Sequence, residues 1–225
     1  INKIIYRKTK NAIDEYKNTL AITPISPDVH FHLGQSYISL NMYTEAVKAY
    51  HDTLRLSPNY FEAYIGIGKA YINSGKNNEA IPPLRNAIGI NPLSLEAYNN
   101  LGLAYTNIGD HDKALVSYVE VARIDFRNPV AHYKAGVAYT KIDKNLEAIK
   151  KFEEAIRLNE SFPEAYFNIA WLYQELGEAD KALASYTQTI KYDPDNLDAF
   201  FNSAEIHESF QRYQEAVEAF LKATR

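Results

Sequence analysis

The strongest constraint on this chain is a period of 34 residues. Gly34, Gly68, Gly102 and Gly136 stand one period apart, and Ala170 and Ala204 continue the step. Tyr37, Tyr71, Tyr105, Tyr139 and Tyr173 keep the same interval, with His207 in the next slot. Ala46, Ala80, Ala114, Ala148, Ala182 and Ala216 form a third register. The large residues Tyr50, Leu84, Tyr118, Phe152, Tyr186 and Phe220 form a fourth. The stretch 95–128 shows what is being copied. Tyr98, Leu101, Gly102 and Tyr105 share one helical face, a Gly109-Asp110 turn follows, and Ala114, Tyr118 and Val121 make a second stripe. Neither helix can bury its stripe alone, so each unit is expected to pack against further copies.

This pattern resembles the tetratricopeptide repeat (TPR), a helix-turn-helix unit with Leu-Gly, Tyr, Ala, an aromatic residue and a closing Pro at fixed places. The closing Pro stands here as Pro24, Pro58, Pro92 and Pro194. The resemblance covers nearly all of the chain. It implies an all-α TPR solenoid, a right-handed superhelix of antiparallel helix pairs with about six and a half repeats. Residues 1–26 read as a partial repeat, the second helix of an upstream TPR, with Ala12 and Tyr16 in the small and aromatic slots. Ile1, Ile4, Ile5 and Tyr6 extend that helix upstream or form a partial cap. Residues 27–225 read as six units starting near 27, 61, 95, 129, 163 and 197, in one continuous solenoid.

Local signals mark the helix ends. Asp28, Glu62, Glu96, Glu164 and Asp198 fall in first turns, where the helix dipole favours acids. Asn41, Gly75, Gly109 and Gly177 fall between paired helices, where a left-handed residue is required. Pro82-Pro83 conflicts with the second helix of its unit, because each proline removes a backbone donor. A late start or slight bend is expected there. The chain opens on Ile1 and stops at Arg225 without a polar capping helix, which reads as a piece of a longer protein.

Composition narrows the function. A net charge of −4 supplies no basic footprint for nucleic acid. No apolar run approaches the roughly 20 residues of a membrane span, so no direct membrane insertion is expected. Cysteine is absent, which rules out disulfides and thiol catalysis. No phosphate loop, nucleophile elbow or zinc-protease motif is present. Gly66 and Gly68 lie inside a helix and are no nucleotide loop. His30 and His132 occupy an aromatic core slot and His207 the Tyr slot, so packed imidazoles are the better reading. His30 and His32 point to different faces and make a poor metal pair. The expectation is no enzyme, no cofactor and no metal, in the cytoplasm.

What remains is a face. The TPR resemblance implies that first helices line a concave groove. Residues half a turn from the buried stripe would form its wall: Asp28, His32, Gln35 and Ser39; Glu62, Gly66, Lys69 and Asn73; Glu96, Asn100, Leu103 and Asn107; Val130, Lys134, Val137 and Lys141; Glu164, Asn168, Trp171 and Glu175; Asp198, Asn202, Glu205 and Ser209. Phe31, Ile65, Asn99, Tyr133, Phe167 and Phe201 flank it. Trp171, the one tryptophan, is either an anchor for a partner or packing between adjacent first helices. Asn100, Asn168 and Asn202 are either peptide-pairing amides or tolerated surface residues. The first reading resembles the asparagine ladder of O-linked N-acetylglucosamine transferases. The candidate peptide- or protein-binding residues are Asn100, Tyr133, Lys134, Lys141, Phe167, Asn168, Trp171, Phe201, Asn202 and Glu205. Phe31 and Gln35 stand where a carboxylate clamp would need other residues, so capture of a chaperone C-terminus is not expected.

The expected function is a scaffold or adaptor that binds an extended peptide or a partner helix. One alternative is the substrate-recognition segment of a larger glycosyltransferase. The other is a self-associating scaffold, like the TPR protein that coats magnetosomes.

Overall fold

A computed structural model describes residues 3–223, which form thirteen helices and no strand. Ile1 and the final Arg225 lie outside the described residues. The chain divides into two compact units, 1–124 and 125–225.

Unit 1 holds α1 (Lys3–Ile22), α2 (Pro27–Ser39), α3 (Tyr43–Leu56), α4 (Phe61–Asn73), α5 (Asn77–Ile90), α6 (Leu95–Asn107) and α7 (His111–Ile124). The long α1 buries Ile13, while Ile4, Ile5 and Tyr6 lie exposed along it and form no cap. Unit 2 holds α8 (Pro129–Thr140), α9 (Asn145–Leu158), α10 (Pro163–Glu175), α11 (Ala179–Tyr192), α12 (Leu197–Ser209) and α13 (Tyr213–Ala223). Within each unit, a helix packs on its neighbours in sequence, and the longest reach is to the next repeat, as between α2 and α4 or α4 and α6. Both units have the all-α architecture of a TPR solenoid.

The registers of the sequence explain the packing. Ala46, Ala80, Ala148 and Ala182 have no exposed surface, and a methyl there lets the helices approach closely. The space between paired helices is filled by the large residue four positions on: Tyr50, Leu84, Phe152 and Tyr186 are all 2% exposed or less. Each large side chain needs a flat surface opposite it. A Cβ added to Gly102 would lie 2.8 Å from the Tyr118 ring, and one added to Gly136 would lie 2.6 Å from Phe152.

The helix ends follow equally local rules. Ser26, Ser94, Asn128 and Asn196 accept hydrogen bonds from the first free backbone N–H groups of α2, α6, α8 and α12. Ser94 is the most enclosed case, 8% exposed, with its Oγ 3.3 Å from the Ala97 nitrogen. Ser94→Ala is expected to cost about 1 kcal/mol in a urea titration; an unchanged midpoint would remove Ser94 from the account of α6. Asn41, Gly75, Gly109 and Gly177 are left-handed, with φ of 59°, 77°, 81° and 75°. Asp143 and Gln211 do the same work at φ 58° and 59°. The proline pair does not delay its helix. α5 starts at Asn77 and carries Pro82 and Pro83 inside it. The carbonyls that lose donors belong to Asn78 and Glu79, which are exposed, so water can satisfy them.

Candidate functional site

Two concave or apolar faces stand out, one in each unit, both built on first helices. In unit 2 the face is carried by α8, α10 and α12. Trp171 on α10 is 40% exposed and Phe201 on α12 is 48% exposed, and Trp171 joins neither apolar cluster of the unit. Phe201 is held edge-on by Phe220, with ring centroids 5.5 Å apart. Phe167, one turn before Trp171, is half-buried against Tyr186, with centroids 5.7 Å apart.

The asparagines of this face are held by tyrosine hydroxyls. Asn168 Nδ2 donates to the Glu164 carbonyl at 2.7 Å and to the Tyr133 hydroxyl at 3.3 Å. Asn202 Nδ2 donates to the Tyr186 hydroxyl at 3.1 Å, and that hydroxyl donates to Gln174 Oε1 at 3.0 Å. Burial is the main cause that pushes the Tyr186 phenol up to about 12, and it raises Tyr133 as well. Both therefore remain neutral across the physiological range. Both amide hydrogens of Asn168 are already engaged, so what that side chain offers outward is its carbonyl oxygen. Asn100 and Asn202 each commit Nδ2 to one partner, so this restriction holds for Asn168 alone.

The other predicted positions are spread more widely. Tyr133 is half-buried between Phe152 and Phe162 rather than free on the surface. Lys134 is half-buried on α8, and Lys141 is exposed just past that helix's end. Glu205 lines a cavity of about 300 Å³ with Gln174 and Phe210. Asn100 belongs to unit 1, where its Nδ2 donates to the Glu96 carbonyl at 2.8 Å.

Unit 1 holds the larger concavity, about 480 Å³. Gln35, Ser39, Glu62, Lys69 and Glu96 reach its rim from α2, α4 and α6, and Phe31, Tyr50 and Ile65 form its apolar floor. Lys69 Nζ and Glu96 Oε1 are 2.9 Å apart, an ion pair between consecutive repeats. Both side chains are well exposed, so the pair is worth at most about 1 kcal/mol. Gly66 and Ile65 both line the cavity while staying buried: a Cβ at Gly66 would fall 2.5 Å from the Tyr50 ring, and Ile65 is 3% exposed. The cavity itself was missed, since a hole has no residue of its own in the sequence.

His132 and His30 are structural. His132, 6% exposed, donates from Nε2 to the Phe126 carbonyl at 2.9 Å, and His30 does the same to Pro24 at 3.2 Å. Among the described residues, no group of three or more histidine, aspartate or glutamate side chains is placed to hold a metal. None of the described helices is long and apolar enough to cross a membrane.

Comparison with known proteins gives a consistent answer. Tetratricopeptide repeat family models match residues 95–128 and 167–225, and a TPR repeat model matches 34–75, 68–109 and 143–177. No curated protein matches the chain. Among solved structures, a MamA protein is 29% identical over 72% of this chain and 89% of its own, with a TM-score of 0.68. YrrB, described as a TPR protein with an unusual peptide-binding site, is 21% identical over 79% of this chain and 91% of its own, at 0.66. The C-terminal part of a TPR repeat-containing protein from Cytophaga hutchinsonii is 17% identical over 98% of this chain and 92% of its own, at 0.84. The last two likenesses speak for the fold alone. The chain belongs to the tetratricopeptide repeat family.

Proposed function

We propose that this chain is a protein-interaction scaffold whose first-helix face in unit 2 takes an extended peptide segment or a partner helix. The observation that carries the reading is Trp171. Trp171 is 40% exposed and stands three residues after Asn168 on the same helix, so the face offers a large apolar anchor together with an amide acceptor for a backbone N–H. Phe201, 48% exposed on the next first helix, extends the apolar surface. Membership of a family whose repeats are generally non-catalytic interaction modules supports the same reading, as does the peptide-binding site that YrrB is described as having.

The test is affinity capture from lysate with the parent chain and a Trp171→Ala/Phe201→Ala form. Because Trp171 lies outside the cores, Trp171→Ala should leave the melting midpoint nearly unchanged. Recovery of the partner should fall by about tenfold or more, the usual effect of losing an aromatic anchor. A large loss of stability would instead mark Trp171 as structural. Equal capture by both forms would move the interaction off this face.

A further inference from the structure

The concavity of unit 1 is a different kind of site, and the chain's own repeats show how it arises. The large residue of each second helix sits under the next repeat, and in three repeats of the described chain it is a tyrosine with a hydroxyl to satisfy: Tyr50, Tyr118 and Tyr186. Tyr186 is satisfied twice, by Gln174 twelve residues before it and Asn202 sixteen residues after it. Tyr118 bonds Thr106, which stands at the same place as Gln174. At Tyr50 the corresponding positions are Ile38 and Gly66. One supplies no acceptor and the other no side chain at all.

Tyr50 is only 2% exposed, its hydroxyl has no hydrogen-bond partner among the described residues, and it lines the cavity. The hydroxyl is not one of the enclosed polar atoms left without a bond, so it opens onto the cavity, where solvent or a guest can reach it. Its ring is clamped between Gly34 and Gly66, each of which would meet it at under 3 Å if it carried a Cβ, so the hydroxyl cannot swing away to find one. Burial and the nearby Glu96 charge raise this phenol well above its ordinary range, so it stays protonated.

The charges around the opening define what fits. Glu62 and Glu96 supply two carboxylates and Lys69 one ammonium, which already lies on Glu96. The surplus is negative. Below the carboxylates are the rings of Phe31 and Tyr50, with centroids 5.7 Å apart. A cation entering there meets a carboxylate at the rim, an aromatic floor that favours it, and a phenol oxygen to accept one of its N–H bonds.

We propose that this cavity receives a basic side chain, arginine or lysine, from an extended partner segment. The inference rests on the reading that the chain binds polypeptide through its first-helix faces, and it adds what one face selects. On binding, the incoming cation competes with Lys69 for Glu96 and donates to the Tyr50 hydroxyl. Gly66 admits the Tyr50 ring and, at the place Asn202 holds over Tyr186, brings no donor of its own, so the guest's N–H takes that role.

The experiment uses the full chain and four nonapeptide mixtures with randomised flanks and a fixed central Arg, Lys, Gln or Glu. Binding is read by fluorescence anisotropy for the parent, Tyr50→Phe, Glu96→Gln, Lys69→Ala and Trp171→Ala/Phe201→Ala forms. Phe152 fills the equivalent slot in unit 2, so Tyr50→Phe keeps the packing and removes only the hydroxyl. Arg- or Lys-centred peptides are expected to bind about tenfold tighter than Gln-centred ones, the span of a desolvated charge-assisted contact. That preference should fall severalfold in Tyr50→Phe and Glu96→Gln and rise in Lys69→Ala. Absence of a cation preference overturns the proposal. So does a preference that survives both Tyr50→Phe and Glu96→Gln, or one that Lys69→Ala weakens. Loss of binding in Trp171→Ala/Phe201→Ala reports separately on the unit 2 face, so one reading can fail while the other stands.

Discussion

Phe152→Ala is expected to destabilise unit 2 by about 3–5 kcal/mol, the range for removing a fully enclosed aromatic side chain. Phe152 has no exposed surface and lies among Ala148, Ile149, Ala155, Ala165, Ile169 and Leu172. On one side its ring lies against the bare backbone of Gly136, and on another it meets Tyr133 at a centroid distance of 5.6 Å. Helices α8, α9 and α10 all contribute to that enclosure, so the vacated space has no single wall that can move in to fill it. Guanidinium titration followed by circular dichroism would measure the loss. Phe152→Leu, which keeps most of the volume, should cost far less, and a similar cost for both substitutions would mean that volume is not what the site requires.

The second large effect is expected at Gly102. A Cβ placed there would sit 2.8 Å from Cε1 and Cζ of Tyr118, and Gly102→Leu adds three more carbons to the same contact. The ring and the α6 backbone must separate, at a cost of about 1–3 kcal/mol. Gly102→Ala should be milder, because Ala170 stands in this register opposite Tyr186 and the chain packs around it there. Gly109 provides the contrast. It is left-handed at φ 81° with open space around its Cα, so Gly109→Leu would strain the backbone without any clash. A Gly102→Leu midpoint within experimental error of the parent would contradict the close approach of α6 and α7.

Helical arithmetic brought most of the fold within reach of the sequence, because the contacts that define a repeat are short in sequence and repeat at one interval. It placed the small alanines, the large residues opposite them and four of the left-handed turns. Asp143 and Gln211 escaped notice, since neither residue type advertises a positive φ as glycine does. The late start expected at Pro82 and Pro83 does not occur, for a different reason. Their cost depends on whether the carbonyls they orphan can reach water, and exposed Asn78 and Glu79 can. At the candidate sites, the exposure of Trp171 followed from its register alone. The hydroxyl bonds of Asn168 and Asn202 did not, because their partners lie 35 and 16 residues away and depend on how successive repeats settle on each other. The unit 1 cavity was hardest of all. It is lined by residues of α2, α3, α4 and α6 together, around a Tyr50 ring that Gly66 admits from a neighbouring helix.

The confinement of contacts to a repeat and its neighbour has a consequence for how such a chain comes into being. Closing a short loop costs little entropy, so little order must be established before the first contacts bring a return. Within each unit, a chain emerging from the ribosome can bury its stripes as soon as two successive helix pairs have been synthesised, without waiting for a distant strand or terminus. Amide hydrogen exchange should then reveal a gradient along each unit, with protection rising and falling repeat by repeat in place of one shared opening event.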